Sequence, residues 1–136
     1  LRQRGFNVVI DRKMSVIHLG NAKDITTFFK RQMWHSENYF TDLKASISDP
    51  TFILVTSFII LILAAPVLIL SGLKPFLITV IAAAFIPLIF SLKRIIRSKN
   101  LGHFKKIFSI YTIDTIYVAG RSFGLLKGLK NSITHK

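Results

Sequence analysis

The chain has no cysteine, only six acidic residues against nineteen lysines and arginines, and one tryptophan in 136 residues. Without cysteine there is no disulfide framework and no thiolate metal site, and the redox compartment stays open. Charge is missing altogether from most of the middle of the chain. Between Thr51 and Leu92 the only ionisable side chain is Lys74. The apolar runs on either side of it therefore lack the Asp, Glu, His, Lys or Arg that would announce a proton relay or an ion path.

What fills that charge-free stretch is hydrocarbon. Thr51 to Leu73 is a run of 23 residues and Pro75 to Leu92 one of 18, meeting at Ser71, Gly72, Leu73 and Lys74. As helices they measure roughly 35 and 27 Å, against a bilayer core of about 30 Å. The chain reads as a membrane protein with a helical hairpin. Pro66 and Pro87 lie inside the two runs, where each removes a backbone donor and bends its helix, a packing kink rather than a gate.

A net charge of +13 on a chain that is half apolar fits lipid-embedded helices with basic flanks. It points away from nucleic acid, for which such a charge is a signal in soluble chains. Eight Lys or Arg residues precede the first run, Lys74 lies between the two, and ten follow the second, starting with Lys93, Arg94, Arg97 and Lys99. Basic flanks stay cytoplasmic, so both ends of the hairpin are expected there, in a prokaryotic plasma membrane, with Ser71 to Lys74 on the far face.

Lys93 to Lys106 interleaves basic residues with Ile95, Ile96, Leu101 and Phe104, a pattern that suits anionic membrane lipids. Ile107 to Ala119 is a third, shorter apolar run broken by Asp114. The aspartate and the lysines beyond it favour an interfacial or re-entrant helix, with a third span as the alternative. Gly120, Gly124 and Gly128 recur every fourth residue, which either opens one helix face to close packing or marks a flexible Gly and Lys rich tail. Tyr111 and Tyr117 suit anchoring at headgroup level.

Ahead of the hairpin, Phe6 to Ile10 and Ser15 to Leu19 read as two short strands bounded by Gly5, Asp11, Gly20 and Asn21. Asp24 is placed to cap a helix whose apolar stripe is Ile25, Phe28, Phe29 and Met33, continuing through Trp34, Tyr39, Phe40 and Leu43 before Ser46, Ser48, Asp49 and Pro50 break it. This amphipathic helix is expected at the membrane interface. The chain opens on Leu1 with no signal-peptide pattern and reads as the tail of a longer protein, since about 50 residues are too few for an enzyme domain with its own core.

In this order, L-R-x-R-G-F at Leu1 to Phe6, S-V-I-H at Ser15 to His18, F-F-K-R-Q-M-W at Phe28 to Trp34, a membrane hairpin and R-S-F-G-L-L-K-G at Arg121 to Gly128 resemble the C-terminal part of membrane-anchored family 2 glycosyltransferases, inverting enzymes of GT-A type. The resemblance implies an α-helical membrane hairpin, two transmembrane helices plus an interfacial or third membrane helix, preceded by the C-terminal β/α remnant of a GT-A α/β domain. It divides the chain into 1–48 (end of the catalytic domain with its interfacial helix), 49–92 (hairpin) and 93–136 (basic cytoplasmic segment).

The same resemblance implies a nucleotide-sugar donor, a glycan or lipid-linked acceptor of the cell envelope, and a divalent metal, Mg or Mn. His18 would help bind metal or phosphate, Arg31 would offset diphosphate charge, and Gln32 and Trp34 would border the acceptor. The catalytic base and the D-x-D element would lie upstream of Leu1, since Asp11 and Asp24, the carboxylates before Glu37, stand in no such pair. The chain alone is then expected to be inactive. The departure from the family pattern lies in Gln32 to Ser36, where neither an Arg-Trp pair nor a glycine follows the glutamine. A different class of reading is a small non-catalytic scaffold or regulator with two spans.

Overall fold

The computed structural model describes residues 22–98 and 106–134. Asp24 caps the first helix, α1 (Ile25–Glu37), as expected: its carboxylate accepts from the Thr27 amide at 2.7 Å and from the Thr27 hydroxyl at 2.8 Å. These bonds serve the unpaired donors of the first turn and hold the Asp24 carboxyl below its ordinary pKa.

The expected continuation of α1 to Leu43 is corrected. The helix stops at Glu37, passes through a 3₁₀ turn over Asn38–Phe40, and restarts as α2 (Leu43–Ile47) under a second cap, Asp42. Ser46 supplies the physical reason, because its hydroxyl donates to the Tyr39 carbonyl at 2.7 Å, an acceptor that a continuous helix would have used. The bend turns the Tyr39 side chain toward the start of the next helix.

That helix, α3 (Pro50–Leu70), begins with Asp49 as cap and Pro50 in its first turn, where the missing N–H costs nothing. Gly72, at φ +124°, makes the turn into α4 (Leu73–Ser98); a side chain there would be strained. At 21 and 26 residues the two helices are about 32 and 39 Å long. They pack on each other as a hairpin, and both are long and apolar enough to cross a membrane. Their outward faces are apolar too, with Ile60, Leu63, Val67, Leu73 and Phe85 exposed and Leu70 87% exposed. α4 runs beyond Leu92 through the basic residues Lys93, Arg94 and Arg97.

The third apolar run and the glycine segment form one helix, α5 (Ile107–Thr134), instead of a short helix and a tail. It starts against the hairpin, where the Tyr111 hydroxyl donates to the Ala84 carbonyl, and then leaves it to run along α1. Gly120 lies on Phe29 and Gln32, Gly124 on Met33, and Gly128 on Glu37, so the two helices run parallel in a fixed register. The packing reading of the glycines holds. A methyl at Gly124 would meet the Met33 carbonyl oxygen and lie 2.8 Å from Met33 Cα, leaving no room for any side chain.

The expected fold class is corrected in its first part. Among the described residues there is no strand and no sheet, only helix, so a GT-A β/α remnant is not the architecture they form. The helix assigned to that remnant packs its face on α5. The two strand segments, Phe6 to Ile10 and Ser15 to Leu19, lie outside the described residues.

Gly124→Ala is expected to cost about 1–3 kcal/mol through overpacking and to lower the thermal midpoint of the detergent-purified chain. Gly120→Ala should cost less, because a methyl there would lie 2.9 Å from Gln32 Cβ and 3.1 Å from the Phe29 carbonyl oxygen, a smaller backbone overlap than at Gly124. Equal midpoints for both variants and the parent chain would show that α1 and α5 do not approach this closely.

Candidate functional site

Where α5 crosses from the hairpin to α1, polar side chains collect. Arg31, Gln32 and His35 come from successive turns of α1, and Arg121 from α5; with Phe28 and Ala22 they line an open cleft of about 370 Å³. Gln32 is buried because Gly120 admits it. Bare backbone at that glycine thus places Arg121, the next residue, beside Arg31 and His35.

Arg121 is held by two contacts. Its guanidinium lies 5.3 Å from the centre of the Tyr117 ring, a cation–π contact one turn back along α5. One of its terminal nitrogens donates to the Tyr39 hydroxyl at 3.2 Å, and that hydroxyl donates to Asp49 at 2.7 Å. Its Nε is buried without a hydrogen-bond partner among the described residues.

The electrostatics follow from this arrangement. Burial, aided by the Asp49 hydrogen bond, pushes the Tyr39 hydroxyl up to about 12 and keeps it a donor at neutral pH. Burial works to raise Asp49, but hydrogen bonds from Tyr39 and Thr51 outweigh it and hold the carboxyl below its ordinary pKa. His35 is pushed down by burial first and by the positive charges of Arg121 and Arg31 after it. At neutral pH the imidazole is uncharged, with a nitrogen lone pair to offer.

A second polar node fixes the upper end of α5. Asp114, 0% exposed, accepts from Ser91 at 3.0 Å and pairs with Arg94, both on α4. The aspartate that spoiled the third apolar run is thus the residue that pins it. Farther along, Lys127 pairs with Glu37 at 2.8 Å across the α1–α5 seam.

Of the residues expected at a site, the structure brings Arg31 and Gln32 together. Trp34 is 62% exposed and stands outside the cleft, its ring 5.0 Å from that of His35. His18 lies outside the described residues. Among those residues no three His, Asp or Glu side chains converge as a metal set would require, so the expected divalent cation rests on His18 and the family resemblance. Sequence reasoning missed Arg121 and His35 as neighbours of Arg31. The signal for Arg121 was present in Tyr117 and Arg121 one turn apart, directly after Gly120.

Comparison with protein-family profiles, with curated proteins and with solved structures returned no match.

Because the folded chain holds His35 below the ordinary histidine value of 6.5, the unfolded chain takes up its proton first as pH falls. Stability is expected to drop as pH falls through 6.5 toward the folded value and to level off below it. Thermal unfolding in an uncharged detergent between pH 7.5 and about 5 checks this: the parent chain should lose stability over that window, and His35→Asn should flatten the dependence. An unchanged slope in the variant would remove His35 as its source.

Proposed function

We propose that this chain is the membrane-anchoring C-terminal part of a glycosyltransferase, which moves a sugar from a nucleotide-sugar donor to a glycan or lipid-linked acceptor of the cell envelope. The observation that carries the proposal is the cleft: Arg31, Gln32, His35 and Arg121 meet on one opening beside the start of α3. The motif resemblance at Phe28 to Trp34 and Arg121 to Gly128 falls on the two helices that build it.

On this reading α3 and α4 cross a prokaryotic plasma membrane with both hairpin ends cytoplasmic, the side that carries the basic flanks. The cleft then lies at the cytoplasmic surface, where nucleotide sugars are found. Sugar transfer forms a bond from the acceptor oxygen to the anomeric carbon and breaks the bond from that carbon to the diphosphate. The acceptor proton goes to a base supplied upstream of Leu1, and negative charge builds on the departing diphosphate.

Two arginines lining one opening answer that charge, since planar forked donors match phosphate oxygens and gain strength where water is partly excluded. Gln32 contributes an amide, and a neutral His35 contributes a hydrogen bond without adding to the charge. Trp34, exposed beside His35, is left to border the acceptor. The Tyr39 and Asp49 link ties Arg121 to the first span, so the cleft keeps its height above the bilayer.

The complete gene product, expressed in membranes and assayed for transfer of radiolabelled sugar into lipid-extractable or polymeric product, tests the proposal. Arg31→Ala and Arg121→Ala are each expected to lower transfer at least about tenfold, the scale of a lost charge-assisted contact, with membrane abundance unchanged. His18→Ala belongs in the same series. Full transfer by both arginine variants, or no transfer by the parent with any nucleotide sugar, would overturn it.

A further inference from the structure

A second cationic opening lies at the end of the hairpin, apart from the cleft between α1 and α5. Lys93, Arg94 and Arg97 of α4, Thr51 of α3, Phe90 and Tyr117 enclose a groove of about 300 Å³. The Phe90 and Tyr117 rings, 5.2 Å apart, form one wall of it. Lys93 and Arg97, one helical turn apart, also edge a neighbouring trough of about 570 Å³, whose other walls are Ile89, Leu92 and Ile96. A polar cationic groove and an apolar trough therefore share a rim of two cations.

Neither Lys93 nor Arg97 has an ion-pair partner among the described residues. Arg94 gives one nitrogen to Asp114, and its side chain remains 55% exposed, which leaves the other donors of its fork available. The groove thus holds three cations against the one buried carboxylate of Asp114. Asp49 already caps the first turn of α3, so the α3 N-terminus adds no positive end of its own.

The shape asks for a ligand that is anionic at one end and apolar along the other. Free phosphate or a nucleotide would leave the Ile89, Leu92 and Ile96 trough unused, and a purely apolar ligand would leave Lys93 and Arg97 unpaired. We propose that this groove is a binding site for one anionic phospholipid, its phosphate held by Lys93, Arg97 and the open side of Arg94, and an acyl chain lying along Ile89, Leu92 and Ile96. The proposal rests on the hairpin crossing a membrane and not on sugar transfer. It differs from general attraction to an anionic leaflet in its stoichiometry and in its dependence on two particular cations.

Native mass spectrometry of the full chain, purified in an uncharged detergent and titrated with phosphatidylglycerol, phosphatidylcholine or inorganic phosphate, tests it. One phosphatidylglycerol is expected to stay bound, at least about tenfold more tightly than phosphatidylcholine, with millimolar inorganic phosphate failing to displace it. At about 1 kcal/mol for each cation, Lys93→Ala/Arg97→Ala should weaken retention about 30-fold. The charge-matched pair Lys74→Ala/Lys130→Ala should leave it unchanged. If the first pair fails to purify, Arg97→Gln alone should weaken retention about fivefold.

Equal loss in both double variants would show diffuse charge and overturn the site. So would equal retention of phosphatidylcholine, and so would displacement by inorganic phosphate, which would mark a free-phosphate groove. Failure of the membrane premise has a separate signature, release of the chain from membranes into alkaline carbonate.

Discussion

The contact on which the rest of this structure depends is backbone against backbone. Along the seam between α1 and α5, Gly120, Gly124 and Gly128 set one helix so close to the other that no side chain fits between them at Met33 or Glu37. Parallel helices packed this tightly gain dispersion contacts along the seam, and on the α5 side they lose little side-chain entropy, because the three glycines have none to lose. The register that results is what lines up Arg121 with Arg31 and His35, and Lys127 with Glu37.

Two polar links then orient this helix pair on the hairpin. Asp114 is tied to Ser91 and Arg94 at one end of α4, and Tyr39 bridges Arg121 to Asp49 at the start of α3. Each places a charge next to its partner instead of leaving it alone in a low-dielectric setting, where an unpaired carboxylate is costly. The hairpin ends and the α1–α5 pair are thereby held as one body. Tyr117 links the two cationic openings: it lines the groove beside Phe90, and its ring contacts Arg121 of the cleft.

Features governed by neighbours in sequence were legible from the chain itself: the cap at Asp24, the break at Ser71 and Gly72 and the presence of two long apolar helices. Features governed by distant partners were not. Asp114 reads locally as an interruption, and only Ser91 and Arg94, 23 and 20 positions away, turn it into an anchor. The stop at Glu37 depends on a serine hydroxyl reaching back to Tyr39, against an apolar spacing that favours continuation. The packing of α1 on α5, where a β/α remnant was expected, was hidden for the same reason. An amphipathic stripe reports that a face is covered, and it does not say whether a strand or another helix covers it.

The parallel course of α1 and α5 also constrains the chain between their contacts. Asp114 is fixed to α4, and Gly120 is fixed to α1, within the same uninterrupted helix. The stretch between them acts as a ruler. Inserting or deleting one residue there would rotate everything beyond by about 100°, turning the three glycines off the seam while leaving every amino acid in place. Its residues can vary in kind far more readily than in number, so length polymorphism should be rarest there and not in the apolar helices that dominate the composition.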